Sequence, residues 1–185
     1  MKILILSTFA ILGSFATACH SVDASVCPAK MPAAINPPAD ETIKSSYEAI
    51  GNQIYVCAQN SGTWAWNLVG PQSNLYDEKH KLVATHYVGP TWQANDGSSV
   101  AGTKTGSVSV DGSAIPWMIL KGSSKVEDGE LHDVTSIQRV KTTGGLPPGG
   151  CDAEHAGAVA QAPYTAQYVF YKTKSGDKVE QCKGQ

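Results

Sequence analysis

Hydrophobic side chains recur at every second position from Gln53 onward, in short runs separated by turns. A period of two predicts strands with one buried face, whereas an amphipathic helix repeats its apolar residues every three or four positions. Asn60-Ser61-Gly62 and Asn95-Asp96-Gly97 are typical turn sequences between such runs. We therefore expect an all-β chain, folded as a single-domain sandwich or partly closed barrel of about eight mainly antiparallel strands with long disulfide-pinned loops.

The last predicted strand and the loop before it stand out within this pattern. The loop runs from Gly144 to Ala162, which is long for a compact domain, and a disulfide through Cys151 would pin it. In an earlier strand, Gly102 and Gly106 predict bulges or an edge strand. The residues expected to share one face of the last strand are Tyr164, Ala166, Tyr168 and Phe170.

Composition excludes several classes of protein. The chain carries 14 basic and 16 acidic residues, a net charge of −2, so no basic surface for nucleic acid is expected. Hydrophobic residues make up 42% of the chain, which is enough for a real core and argues against global disorder.

The N-terminus has the pattern of an export signal. Met1-Lys2 precedes a short apolar run that ends in Ala16-Thr17-Ala18, as in a secretory signal peptide, which we assign to residues 1–18. The next residue, Cys19, allows a second reading as a lipid-modified cysteine of the bacterial lipoprotein type, although Ala16 replaces the usual leucine. The chain is then expected to be exported, as a bacterial outer-membrane lipoprotein or periplasmic protein held to the membrane through its N-terminal lipid, or otherwise secreted.

The cysteine count agrees with lipidation. The five cysteines are an odd number for an exported chain, and a lipid on Cys19 would leave four for two disulfides. The alternative is ordinary cleavage with a free thiol, or with Cys19 itself in a bridge. The pairing within the remaining set stays open: Cys27, Cys57, Cys151 and Cys182.

The mature chain divides into three parts. Residues 19–52 are proline-rich and predict an irregular, lipidated or flexible lead-in, with at most a helical turn or two between Asp40 and Ile50. Residues 53–173 form the predicted β domain. Residues 174–185 form a tail that Cys182 would tie to the domain.

Several segments together resemble an uncharacterised family of small exported proteins of bacteria and filamentous fungi, a domain of unknown function with some members labelled malate dehydrogenase. The resemblance covers roughly Ala49 to Tyr171 and implies export and a single domain, but no catalytic residues. The segments that carry it are Gln53-Ile54-Tyr55-Val56-Cys57, His86-Tyr87-Val88-Gly89-Pro90-Thr91-Trp92, Asp96-Gly97-Ser98, Ile115-Pro116-Trp117, Ile137-Gln138-Arg139-Val140, Thr142-Thr143-Gly144-Gly145, Cys151-Asp152, Pro163-Tyr164-Thr165-Ala166 and Tyr168.

The residues themselves do not support a dehydrogenase. Dinucleotide binding needs a glycine-rich turn between a strand and a helix, and the chain has neither G-x-G-x-x-G nor strand–helix alternation. No cofactor is therefore expected.

The segment from His86 to Ser98 holds the candidate catalytic residues. His86 lies in register with Ala84 and Val88 on an apolar face, so it is either a base paired with Asp96 or a buried histidine that anchors a turn. Asp96-Gly97-Ser98 is equally ordinary turn chemistry. The chain has no G-x-S-x-G elbow and no H-E-x-x-H or C-x-x-C motif, so neither a serine hydrolase nor a specific metal site is expected.

Four further residues are candidates for ligand binding: Tyr87, Trp92, Arg139 and Asp152. Arg139 is the sole arginine, and its guanidinium can bind a carboxylate through two parallel hydrogen bonds. The simpler interpretation pairs Arg139 with an internal carboxylate such as Asp96 or Asp152. Aromatic residues at such positions line small-molecule or glycan sites, or they fill the core.

The leading hypothesis is thus an exported, envelope-associated β domain that acts in binding or as a structural module. Its candidate ligands are a small molecule or a glycan, bound beside the loop that ends at Cys151. The alternative is an exported hydrolase or metal-dependent enzyme that uses His86 and Asp96, which requires the two side chains to meet in an open pocket.

Overall fold

A computed structural model describes residues 31–124 and 128–175 of the 185-residue chain. Eight antiparallel strands form one sheet in which each strand pairs with the next and β8 pairs with β1, so the sheet closes into a barrel. The all-β, single-domain, antiparallel expectation is confirmed, and of the two expected arrangements the chain adopts the barrel. The strands are β1 Glu41–Asn60, β2 Thr63–Tyr76, β3 Leu82–Tyr87, β4 Thr91–Ala94, β5 Ser99–Val108, β6 Trp117–Ser124, β7 Val134–Gly144 and β8 Val159–Thr173.

The first strand begins earlier than the sequence pattern indicates. β1 starts at Glu41, twelve residues before the predicted boundary at Gln53, and no helical turn forms between Asp40 and Ile50. β1 pairs along the whole of β8, from Glu41 opposite Thr173 to Val56 opposite Val159, and this pairing includes all of its early half. Long-range pairing therefore fixes a strand where the local apolar pattern is weak.

The barrel interior is the main core. On β8 the alternation places Tyr164, Ala166, Tyr168 and Phe170 inside, as the sequence predicts. Trp92 and Ile137 reach the same interior from β4 and β7.

A second, smaller core lies outside the barrel, where the segment before β1 covers the sheet. A 3₁₀ turn at Ala33–Ile35 buries Ile35 against Ile119, Val140 and Val169. Gly106 makes this possible, since a Cβ there would lie 2.2 Å from the Ala34 carbonyl oxygen. The pairing of β5 with β6 shifts register just before Gly106, which confirms a bulge there. Gly102 pairs regularly with Gly122, so the bulge predicted at Gly102 is wrong, and β5 is not an edge strand because it pairs with both β4 and β6.

Helices contribute little to the described residues. They are two 3₁₀ turns of three residues each, Ala33–Ile35 and Ala153–His155. Within the described ranges, no helix has the length and apolar character needed to cross a membrane.

The antiparallel order places the connections alternately at two ends of the barrel. One end, which we call the loop end, carries the tip of the β1–β2 hairpin and the connections 88–90, 109–116 and 145–158. The other, which we call the closed end, carries the connections 77–81 and 95–98 and the described residues 128–133 of the β6–β7 connection.

Candidate functional site

At the closed end, backbone and side chains satisfy one another. The Asp96 carboxylate accepts hydrogen bonds from the Ser98 hydroxyl and backbone N–H, at 2.6 and 2.9 Å, and from the Glu130 N–H at 2.7 Å. These bonds, first that of the Ser98 hydroxyl, hold the pKa of Asp96 below its usual value. The Ser98 hydroxyl also accepts the Leu131 N–H at 2.9 Å, and Leu131 is fully buried in the interior core. Asp96 and Ser98 thus hold in place the backbone of Glu130 and Leu131, and the Leu131 side chain fills the barrel interior at this end.

At the loop end, one long connection folds over the inner face of the β1–β2 hairpin. Cys57 on β1 and Cys151 on the connection form a disulfide, so two of the four cysteines assigned to bridges are paired; Cys19, Cys27 and Cys182 lie outside the described residues. The Trp66 indole N–H donates to the Gly149 carbonyl at 3.3 Å, and the Tyr55 hydroxyl donates to the Gly145 carbonyl at 2.7 Å. The predicted pinning of this loop is confirmed.

The loop end also displays most of the exposed apolar surface. Of the ten large hydrophobic side chains that are exposed in the described part of the chain, seven lie at or beside this end. Four of them lie near one another in sequence and pairing: Val88 lies against Gly70, which follows Leu68 and Val69 in β2, and Tyr87 precedes Val88. We call this group the apolar rim: Leu68, Val69, Tyr87 and Val88, which are 57%, 49%, 37% and 57% exposed.

Below the loop end, the barrel encloses polar side chains among its aromatic residues. We call this group the interior polar cluster: Gln53, Tyr55, Ser73, His86, Arg139, Tyr164 and Tyr168, all at most 8% exposed. The Tyr164 and Ser73 hydroxyls lie 2.8 Å apart across Gly51, where a Cβ would come within 2.5 Å of Ser73. A glycine on the middle strand therefore lets the two hydroxyls meet.

Arg139 is the charged member of the interior polar cluster. It lies opposite Tyr168 across the β7–β8 pair, and its Nε and Nη2 donate to one acceptor, the Pro116 carbonyl oxygen, at 3.2 and 2.9 Å. Burial raises the pKa of Tyr55 and Tyr168 and lowers that of His86, and the guanidinium charge lowers the pKa of all three. The positive charge of Arg139 therefore lies close to the side chains of Tyr55, Tyr168 and His86.

His86 is one of three aromatic rings that pack together in the barrel interior. Its ring stacks on Trp92 with centroids 4.1 Å apart, and Tyr168 packs edge-on against both rings. Its Nδ1 lies 2.9 Å from the Thr91 carbonyl, which only accepts, so Nδ1 carries the ring proton. Burial lowers the pKa of His86 to about 3, which keeps the ring neutral at physiological pH and makes it a weak base.

Within residues 31–124 and 128–175, four buried donors have no partner at good hydrogen-bond geometry and no contact with solvent. They are Gln53 Nε2, Trp92 Nε1 and the hydroxyls of Tyr168 and Ser45. Buried polar groups in folded proteins are normally paired, so such a group marks a bound molecule or a functional constraint.

A shallow groove of about 360 Å³ lies on the wall of the loop end. Its lining includes Leu146, Pro148, Gln161 and Pro163, together with Gly145, whose carbonyl holds Tyr55. The groove therefore borders the connection that covers the interior polar cluster.

Comparison with protein families assigns this barrel. The model of the family described as "Protein of unknown function (DUF3455)" matches residues 38–172, which is most of the chain and all but the last residue of the eight strands. The chain belongs to DUF3455. Searches of curated proteins and of solved structures found no match.

The sequence-predicted site residues are spread over this DUF3455 barrel and do not form one site. His86 lies in the interior and Asp96 at the closed end, and their hydrogen bonds go to different partners. Trp92 is buried beside His86, whereas Tyr87 is exposed on the apolar rim.

Asp152 also has a local role. Its carboxylate caps the 3₁₀ turn by accepting the Glu154 and His155 N–H groups, and it contacts His155 Nδ1 at 2.6 Å. Arg139 pairs with neither Asp96 nor Asp152, so the expectation of an internal ion pair with either of them is wrong: each carboxylate is already satisfied by its own turn. Among the described residues, no group of three or more histidine, cysteine, aspartate or glutamate side chains is placed to hold a metal ion.

Sequence reasoning missed several members of the site. Gln53 and Ser73 sit at inward positions of β1 and β2, and an unexpected polar residue within an alternating strand was the available signal. Leu68 and Val69 could not be recognised as exposed, since their exposure accompanies a register shift at Val69 that the alternating pattern does not reveal.

Proposed function

We propose that this DUF3455 chain is an exported, envelope-associated binding module whose ligand, a small molecule or a glycan, docks at the loop end of the barrel. The observation that carries the proposal is the concentration of exposed apolar side chains at that end, in the apolar rim. A concentration of exposed apolar side chains in one region of a domain surface is typical of an interaction site.

A binding role fits the interior better than the alternative of a hydrolase or metal-dependent enzyme. That alternative needs His86 and Asp96 to meet at an open pocket. His86 is 3% exposed and stacked on Trp92, and the carboxylate of Asp96 is occupied by Ser98 and Glu130. The candidate catalytic groups thus serve the fold, while the loop end stays exposed.

Export and attachment rest on the N-terminal sequence. The segment before Cys19 has the composition of a signal peptide, and lipidation of Cys19 would tether the barrel to a membrane. The bridge between Cys57 and Cys151 supports this location, because structural disulfides persist in oxidising compartments. The occurrence of the family in bacteria and filamentous fungi, and the malate dehydrogenase label of some members, likewise rest on the sequence resemblance alone.

The binding surface is tested with a panel of oligosaccharides and small aromatic compounds, screened by ligand-observed NMR. Leu68→Ser and Tyr87→Ala should weaken any hit at least tenfold, because both side chains are exposed and their loss leaves the core intact. Leu82→Ser is the matched control, since Leu82 is 38% exposed at the closed end. Equal effects of Leu68→Ser and Leu82→Ser would remove the loop end as the binding surface.

Attachment is tested separately in the full-length chain. Cys19→Ser should move the protein from the membrane fraction to the soluble fraction if lipid on Cys19 holds it. Unchanged membrane association of Cys19→Ser would exclude the lipid anchor. This result does not bear on ligand binding, so the two parts of the proposal fail independently.

A further inference from the structure

Arg139 carries a buried positive charge for which the described residues supply no counter-ion. It is 8% exposed, and the buried polar and charged side chains of the described chain include no carboxylate. No ion pair of the described residues includes Arg139. A buried charge without an opposite charge is strongly unfavourable, so an anion at this position would remove a large penalty.

The orientation of the guanidinium leaves one edge available. Nε and Nη2 both donate to the Pro116 carbonyl, and this occupies one edge of the planar group. The opposite edge, formed by Nη1 and the second N–H of Nη2, keeps the spacing of two parallel donors that matches the two oxygens of a carboxylate. Pro116 belongs to the connection 109–116, so Arg139 is anchored directly beneath the loop end.

Neutral donors line the same interior. Within the described residues, Trp92 Nε1 and the Tyr168 hydroxyl are sealed from solvent and have no partner at good hydrogen-bond geometry. Tyr168 lies directly opposite Arg139 in the β7–β8 pair, and its hydroxyl is close enough to the Arg139 guanidinium and the Tyr164 hydroxyl for both to affect its pKa. Each group can donate a hydrogen bond to an anionic oxygen. Because burial keeps His86 neutral, the site offers one positive charge, which balances a monoanion better than a phosphate dianion.

We infer that the barrel interior beneath the loop end binds the carboxylate of a small organic acid, held by Arg139 and assisted by Tyr168. The inference deepens the proposed function and rests on it in one respect: the apolar part of the acid faces the loop end, where the apolar rim lies. The carboxylate replaces the missing counter-ion, and neutral analogues of the acid lack that interaction.

The test compares benzoate with benzamide, which has the same shape and no charge, on the full mature chain. Isothermal titration calorimetry should show at least tenfold tighter binding of benzoate than of benzamide. The NMR signals of the Arg139 Nε–H and the Trp92 indole N–H should shift with benzoate. An equal affinity for the two probes, or no binding of either at millimolar concentration, would overturn the inference.

Variants identify the group that selects the charge. Arg139→Gln should reduce the benzoate-to-benzamide ratio to about one, and Arg139→Lys should retain part of it because the charge remains while the paired donors are lost. Lys141→Gln is the matched control, since Lys141 is an exposed cation two residues away on β7 and its removal should leave the ratio unchanged. A ratio lowered equally by Lys141→Gln would show general charge attraction and contradict a specific site.

The design separates this inference from the proposed function. If Arg139→Gln does not fold, carboxylate binding at Arg139 is still tested by three results: the wild-type affinity ratio, the NMR shifts and the ratio of Arg139→Lys. Ligands lost in Leu68→Ser but bound equally well by Arg139→Lys would overturn the carboxylate site and keep the loop-end surface. Benzoate binding that depends on Arg139 but not on Leu68 would keep the carboxylate site and overturn the apolar rim.

Discussion

The two ends of the barrel are covered in different ways. At the closed end, Leu131 fills the interior, and Asp96 and Ser98 hold the surrounding backbone by hydrogen bonds. At the loop end, a disulfide holds the covering connection, while Leu68 and Val88 remain more than half exposed.

The two ends thus differ in how completely their polar and apolar groups are satisfied. Every hydrogen bond of Asp96 at the closed end serves the fold, which is the consistency expected of a structural element. The loop end departs from that consistency, since apolar side chains face solvent and Arg139 lies buried beneath it with no counter-ion among the described residues. Local departures from an otherwise satisfied structure are expected at functional sites.

The largest expected effect comes from removing the disulfide. The double variant Cys57→Ser with Cys151→Ser removes a link between positions 94 residues apart, and loop-closure entropy predicts a loss of about 4.6 kcal/mol in the free energy of unfolding. Urea denaturation measures the loss. Hydrogen exchange should accelerate first at residues 145–158, while amides of 95–98 stay protected.

Simultaneous loss of hydrogen-exchange protection at residues 145–158 and 95–98 would contradict the difference between the two ends. That result would mean that the disulfide supports the whole barrel and not the loop end in particular. Wild-type protein under reducing conditions should reproduce the pattern of the double variant and serves as its control.

Packing at the closed end should give the next largest effect. Leu131→Ala removes a fully buried side chain from the interior core and should cost about 3 kcal/mol of unfolding free energy. Leu146→Ala is the matched change at the loop end, where Leu146 is 40% exposed, and should cost under about 0.5 kcal/mol. Similar losses for the two variants, measured by urea denaturation, would show that the loop end contributes packing comparable to that of the closed end.

Sequence patterning predicted the parts of the fold that depend on local alternation. The face shared by Tyr164 and Tyr168, the turn at Asn95-Asp96-Gly97 and the short strand before it were all recognisable. The start of β1 at Glu41 was not, because its residues become a strand through pairing with β8 and not through their own apolar period.

The candidate site was predictable only in its components. Of the two interpretations of His86, the structure bears out the buried histidine on an apolar face, and it places Arg139 in the same interior. Their common interior, and the separation of Asp96 from both, depend on ring closure between β1 and β8. Which residues from distant strands share one interior is a property of the closed sheet that no single segment contains.

The smallest expected effect is the pH dependence of stability that comes from His86 in the interior polar cluster. It tests whether acid sensitivity arises in the interior. The pKa of His86 is about 3 in the folded state against 6.5 for an unperturbed histidine, so below pH 6.5 the unfolded chain binds a proton that the folded chain does not. Stability should therefore be highest above pH 6.5 and fall as pH decreases, by at most about 1.4 kcal/mol per pH unit between pH 6 and pH 4.5. Urea denaturation across this range measures the slope, and His86→Phe, which keeps a ring against Trp92, should flatten it. The lowered pKa of Asp96 makes the closed end respond only at more acidic pH, so a slope that persists in His86→Phe would contradict His86 as the acid-sensitive group.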